Sequence, residues 1–294
     1  MGSPSSDPSP VDPTRKPRGD EIDVFGLTHA GIVREENQDH FLLCELRKHV
    51  EVHLTSLPES ELSWAEDDRM AFIAMVADGV GGGQAGEEAS RRVVGAVARY
   101  VTESIGAYYT ADSTDRDAFT GALHASALRA HADVLEAGES DPGLAGMSTT
   151  LTLWIGVWPQ IFVVQVGDSR HYVLRDDRLL QVTRDQTYGQ SIVDAGILSV
   201  EEAKRLRVAH VLSSSLGGSE SEPVVQWIPS GWNHVHMICT DGLTRHVSDD
   251  RIRGRLAAMT SARQVCEDLL QDALDGGGTD NITIIVGRAV RRDG

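Results

Sequence analysis

The chain has 294 residues, enough for one large domain or two small ones, and 40% of them are hydrophobic, enough for a real core. A formal net charge of −17 argues against nucleic-acid or anionic-membrane partners, since both recruit basic patches. Cys44, Cys239 and Cys266 are far apart with no CxxC pair, no apolar run nears the roughly 20 residues of a membrane span, and the N-terminus lacks an apolar signal core. A cytoplasmic protein without disulfides is expected.

In chain order, residues 1–20 are rich in Ser, Pro and Asp and read as a flexible tail, with one folded domain over 21–290. Glu21–Val33 and Phe41–Leu54 read as two strands separated by the polar turn Arg34–His40, and Leu57–Asp68 as an exposed excursion. Ala71–Ala77 is a continuous apolar run, the pattern of a strand buried on both faces. Glu87–Gly106 repeats apolar residues at helical spacing (Ala89, Val93, Val97, Val101, Ile105). A second helix is expected over Arg116–Ala137, with Ala118, Ala122, Ala125, Leu128, Ala132 and Leu135 on its buried stripe. Thr149–Val157, Ile161–Gly167, Arg170–Arg175 and Leu179–Thr183 read as an antiparallel meander. Asp185–Glu222 is a polar excursion with two short helices, the kind of segment that often serves as a functional flap. Strands Val224–Ile228 and His234–Cys239, helices Ser248–Met259 and Ala262–Leu274, and a last strand Ile282–Ala289 complete an α+β pattern.

One local grammar recurs. The run Ala71–Ala77 ends on Asp78 and a glycine cluster beginning at Gly79; IFVVQVG runs into Asp168, VHMIC into Thr240-Asp241-Gly242, and GGGT into Asp280 ahead of NITIIV. A single Asp at such a place is ordinarily a turn former, and for Asp168 a plain hairpin turn is a serious alternative. Four together suggest carboxylates gathered on a hard cation such as Mg²⁺ or Mn²⁺, which prefers oxygen ligands. The histidines show no zinc-ligand spacing.

With RxxNxD at Arg34–Asp39, ADGVGG at Ala77–Gly82, GxSTT at Gly146–Thr150, VGDSR at Val166–Arg170, CTDG at Cys239–Gly242 and GTDN at Gly278–Asn281, the motif order resembles the metal-dependent (type 2C, PPM) serine/threonine protein phosphatases in their bacterial form, over about Glu21 to Ala289. The resemblance implies a four-layer αββα sandwich, two packed antiparallel sheets flanked by helix pairs, with cations at one end. It implies two Mn²⁺ or Mg²⁺ ions, bridged by Asp78, with the Gly79 carbonyl on the first and Asp241 and Asp280 on the second. A third, weaker ion would sit at Asp168 and Asp241, Asp39 would stand near the metal-bound waters, and Arg34 would clamp the substrate phosphate. The implied reaction is hydrolysis of phospho-Ser/Thr in proteins by hydroxide bridging the ions, by a monomer whose partners are phosphoproteins and a Ser/Thr kinase or its targets, in cytoplasmic signalling.

The chain departs from the family pattern at Gln38, Gln84, Gln186 and Ser214, none of them an inferred metal ligand. These departures motivate a second reading, a pseudophosphatase that binds without turnover. A third, a cysteine phosphatase, rests on the C-x5-R match from Cys239 to Arg245, but a cysteine closing an apolar strand is ordinarily core.

Overall fold

The computed structural model describes residues 15–49, 54, 58, 68–81, 84–110, 116–203 and 205–292. Two antiparallel sheets face each other. One runs in the order β1 (Ile22–His29), β11 (Ile282–Ala289), β10 (Val235–Cys239), β7 (Arg170–Arg175), β8 (Arg178–Gln181). The other runs β2 (Asp39–Lys48), β3 (Asp68–Val80), β5 (Leu151–Val157), β6 (Gln160–Val166), β9 (Val224–Pro229), with the short β4 (Ser148–Thr149) paired to the end of β3.

Helices α1 (Gln84–Thr110) and α2 (Arg116–Ser140) cover the outer face of the second sheet, joining Ile73, Met75, Leu153 and Phe162 in one core. Helices α6 (Asp249–Ala257) and α7 (Ala262–Asp275) cover the first sheet, against Tyr172, Met237, Ile284 and Val286. Each element that faces two layers is apolar on both sides, which is why β3 and β11 read as continuous runs. Between the sheets the apolar core is thin: Ala74, Val76, Ile238 and Ile285, flanked by Phe41, Leu43 and Trp154. The four-layer αββα sandwich expected from the sequence is the observed architecture.

Several expectations are corrected. Strand β1 ends at His29, because the chain turns at Gly31 (φ 83°), so Ala30–Val33 leaves the sheet despite its apolar residues. Asp39 and His40 begin β2 instead of ending a turn. The four-strand meander is two hairpins in different sheets, β5–β6 and β7–β8, with the chain crossing between layers at Gly167–Ser169. Period-2 patterning cannot distinguish these, since β5, β6 and β7 are all buried apolar strands that either sheet could accept.

On α2 the buried residues are Phe119, Leu123, Ser126, Ala127, Ala130 and Val134, none of them on the expected stripe, while Leu128 and Leu135 stand outward. An alanine-rich helix offers two rotations of nearly equal apolar content, and the one that seats the Phe119 ring edge-on against Phe162 (centroids 4.8 Å apart) is adopted.

The expected tail runs too far as well. Residues 1–14 lie outside the described residues, as does almost all of the expected excursion Leu57–Asp68. Residues 15–20, however, are docked. Arg15 holds the buried Glu21 in a fork of 2.7 and 2.8 Å and lies 5.0 Å over the Trp232 ring. Pro17 is buried and its carbonyl accepts from Arg69. Charge pairing and one proline, not apolar content, tie this segment down.

Candidate active site

The acids come together because strands from both sheets end at the same edge of the sandwich. Asp39, the first residue of β2, pairs in register with Asp78 on β3. Asp168 follows β6 at Gly167 (φ 97°), Asp241 opens the one-turn helix α5 (Asp241–Thr244) directly after β10, and Asp280 precedes β11. Two glycines permit the close approaches. A side chain at Gly79 would put its Cβ 2.7 Å from the Gln38 carbonyl, and one at Gly31 2.6 Å from the Gly278 carbonyl. Gly31 thereby lets the loop carrying Arg34 lie against the Asp280 turn, where the Ile32 amide donates to the Gly278 carbonyl at 2.7 Å.

Asp39 is buried. Its Oδ2 accepts from the hydroxyls of Thr240 (2.8 Å) and Thr283 (2.6 Å), and its Oδ1 is buried without a partner. Burial pushes its carboxyl up to about 7, against the two hydroxyls and with help from Asp241 and Asp280. Asp78 and Asp168 are pushed well above the carboxylate range, first by burial and then by neighbouring acids, among them Asp39 and Asp241 for the former and Asp241 and Asp185 for the latter. Asp241 Oδ1 is also buried without a partner. The cluster therefore gathers acids that burial and one another disfavour as carboxylates, with two orphaned oxygens. An all-oxygen donor set of this kind fits a hard divalent cation. Among the described residues, no three of these side chains already stand gathered as a metal-holding group.

Two guanidinium groups account for part of that geometry. Arg245, one turn along from Asp241, donates Nη2 to Asp241 Oδ2 and Nη1 to Asp280 Oδ2 at 3.0 Å. Arg34 lies on the outer side of Asp280, with Nε 2.9 Å from Oδ1 and Nη2 3.1 Å from Oδ2.

All seven residues singled out in the sequence, Arg34, Asp39, Asp78, Gly79, Asp168, Asp241 and Asp280, thus fall at one edge. The sequence reading missed Arg245 as a member of the site, noticing it only as the end of C-x5-R. It also missed Thr240 and Thr283, which hold Asp39, and Asn281, whose side chain ties down Ala30, Glu36 and Gln38 by three hydrogen bonds of 2.8 to 3.0 Å. The TDN triplet beside Asp280 was the available signal. Gln38 turns away from the acids: its side-chain amide donates to the Gly81 carbonyl at 3.3 Å and lies against Gly86. Cys239 is fully buried and its thiol is pushed up to about 12, which removes the activated thiolate a cysteine phosphatase needs.

The family model for protein phosphatase 2C matches residues 59–275. The chain belongs to this family. The match takes in Asp78, Asp168 and Asp241 and stops short of Arg34, Asp39 and Asp280. The chain is 33% identical over 223 residues to the serine/threonine protein phosphatase PstP of Mycobacterium tuberculosis, covering 76% of this chain and 41% of that protein. It is 28% identical over 215 residues to the serine/threonine phosphatase stp of Listeria innocua, covering 73% and 83%. The chain therefore spans less than half the length of the mycobacterial relative. The crystal structure of the PstP catalytic domain in complex with two manganese ions superposes with a TM-score of 0.71 at 28% identity, covering 92% of this chain and 99% of that one. No helix among the described residues is long and apolar enough to cross a membrane.

Proposed function

We propose that this chain is a Mn²⁺- or Mg²⁺-dependent phosphoprotein phosphatase acting on phospho-Ser/Thr, its catalytic unit running from about residue 15 to 290. The observation that carries the reading is the buried all-oxygen acid cluster at the sandwich edge, with orphaned oxygens on Asp39 and Asp241. Membership of the 2C family and the likeness to a two-manganese relative support it.

In this reading Asp78 and the Gly79 carbonyl would hold a first ion, Asp78, Asp241 and Asp280 a second, and Asp168 with Asp241 a weaker third. When bound, the ions supply a hydroxide nucleophile at neutral pH and neutralise charge on the phosphoryl group. The protein's own residues orient and exclude. Arg34 binds the phosphate. Its present pair with Asp280 is half-exposed and screened, so releasing it costs little. Asp39, held by Thr240 and Thr283 beside the acids, orients water at the site.

The excursion between Asp185 and Glu222 flanks a cleft of about 820 Å³ that reaches Asp168 and Asp241, wide enough for a peptide chain rather than a small metabolite. The width of the cleft supports a phosphoprotein substrate, and we take that substrate to belong to signalling opposite a Ser/Thr kinase. A cytoplasmic monomer with no nucleic-acid or membrane partner fits the net charge of −17. The test is phosphate release from a phosphothreonine peptide. Mn²⁺ should be required, EDTA should abolish turnover, and Asp78→Asn should lower the rate at least about a hundredfold with unchanged circular dichroism. A protein that binds Mn²⁺ yet releases no phosphate would instead be the pseudophosphatase.

A further inference from the structure

Asp280 is gripped by two guanidinium groups. Arg34 reaches it as a fork, with Nε 2.9 Å from Oδ1 and Nη2 3.1 Å from Oδ2, and Arg245 adds Nη1 at 3.0 Å to the same Oδ2. The other branch of Arg245, Nη2, donates to Asp241. Two donors that meet at one oxygen lie within about 6 Å of each other. One tetrahedral phosphoryl group, with charge-assisted bonds of about 2.8 Å, can bridge that span. A guanidinium fork receives carboxylate and phosphate alike, so the Asp280 carboxylate occupies a seat that also suits a phosphoryl group.

Three observations set Arg245 apart from a structural ion pair. Its side chain is 37% exposed and that of Arg34 54%, against 17% for Asp280, so both guanidiniums stand on the outer side of the acid, where a substrate arrives. Among the described residues, its guanidinium bonds go to Asp241 and Asp280, the two acids assigned to the second cation. It also borders the cleft of about 820 Å³. The other arginine lining that cleft, Arg170, is committed: Nε and Nη2 hold Asp185 at 2.9 and 2.6 Å, and Nη1 donates to the Tyr172 hydroxyl at 2.9 Å. When Asp241 and Asp280 serve a cation, the Arg245 guanidinium loses the oxygens it holds and is left at the cleft wall without a counter-charge.

We propose that Arg245 is a second phosphate-binding residue, exchanging Asp241 and Asp280 for the substrate phosphoryl group when those acids serve a cation, and holding it together with Arg34. This rests on the placement of Arg34 and the acids given above. What Arg245 recognises is the charge of the phosphoryl oxygens rather than the peptide around them, so its effect extends to phosphate itself.

Inorganic phosphate is titrated into ¹⁵N-labelled full-length protein in saturating Mg²⁺, and the amide resonances are followed in the wild type, Arg34→Gln, Arg245→Gln and Arg245→Lys. The wild type should bind one phosphate with a dissociation constant on the order of 1 mM. Arg34→Gln and Arg245→Gln should each weaken it about tenfold, because each removes a charge-assisted contact to the same group. Arg245→Lys keeps the charge without the fork and should recover only part of the loss. In EDTA the acids retain both guanidiniums, and the wild type should bind phosphate at least about tenfold more weakly. A residue that merely balances the acids behaves differently: in saturating Mg²⁺ its removal leaves phosphate affinity unchanged. That outcome for Arg245→Gln, or an Arg245→Lys protein that binds as the wild type does, overturns the inference while Arg34→Gln still weakens phosphate. If Arg34→Gln is without effect too, or the wild type binds no phosphate, the placement of the phosphate site fails and the inference with it.

Discussion

A guanidinium between two carboxylates neutralises charge while engaging the oxygens a cation would use. Arg245 does this for Asp241 and Asp280, and it is a third exposed, so its attraction is partly screened. Two consequences follow at this one position. Without cations, Arg245→Asn should lower the melting temperature by a few degrees, because the acids then face one another with less compensation. In the same variant the dissociation constant for Mn²⁺ should fall about five- to tenfold, since one screened ion pair of roughly 1 kcal/mol no longer competes with the metal. Calorimetric titration of Mn²⁺ and a melt in EDTA check both. An unchanged Mn²⁺ affinity would mean that Arg245 swings clear without cost.

At the scale of elements, the rotation of α2 is the most direct test of packing. Phe119 is fully buried against Phe162, whereas Leu128 is 39% exposed. Phe119→Ala should therefore cost about 3–5 kcal/mol, and Leu128→Ala less than about 1 kcal/mol, in urea unfolding. The reverse order would restore the stripe read from the sequence. The segment ahead of β1 offers a second test. Removing residues 1–18 strips Glu21 of both its arginine partners, Arg15 and Arg18, and uncovers Arg69. The melting temperature should drop by several degrees near neutral pH. Arg15 holds the Glu21 carboxyl down at about 2, so its stabilisation is present above the ordinary glutamate range and lost as pH falls toward 2. The deletion should accordingly matter least in strong acid.

For the whole molecule, the dominant electrostatic feature is an acid cluster inside an already acidic protein of net charge −17. Asp39, Asp78 and Asp168 all hold protons more tightly folded than unfolded. Between the unfolded aspartate value of about 4 and the raised folded values, about 7 for Asp39, the native state binds more protons than the unfolded one. Stability in EDTA should therefore fall as pH rises through that window, and Mn²⁺ should restore it at the alkaline end. Asp39→Asn should flatten the slope, which separates the cluster from the general self-repulsion of the surface. A melting temperature in EDTA that is level from pH 4 to 8 would contradict the raised proton affinity of the cluster.

The sequence alone carried the α+β class, the end residues of the last strand, the family, and the five aspartates that the structure brings to one edge. Those features are local: a buried strand reads as an apolar run, and an Asp at its end beside glycine is visible without knowing what faces it. Only the tertiary structure decided which hairpin lies in which sheet, which face of α2 is buried, that residues 15–20 dock, and that Arg245 joins the acids while Gln38 turns aside. Each of these depends on what lies across a layer. Two rotations of an alanine-rich helix, or two sheets equally able to bury a hairpin, are nearly degenerate in local pattern, and contacts between residues far apart in the chain break the tie.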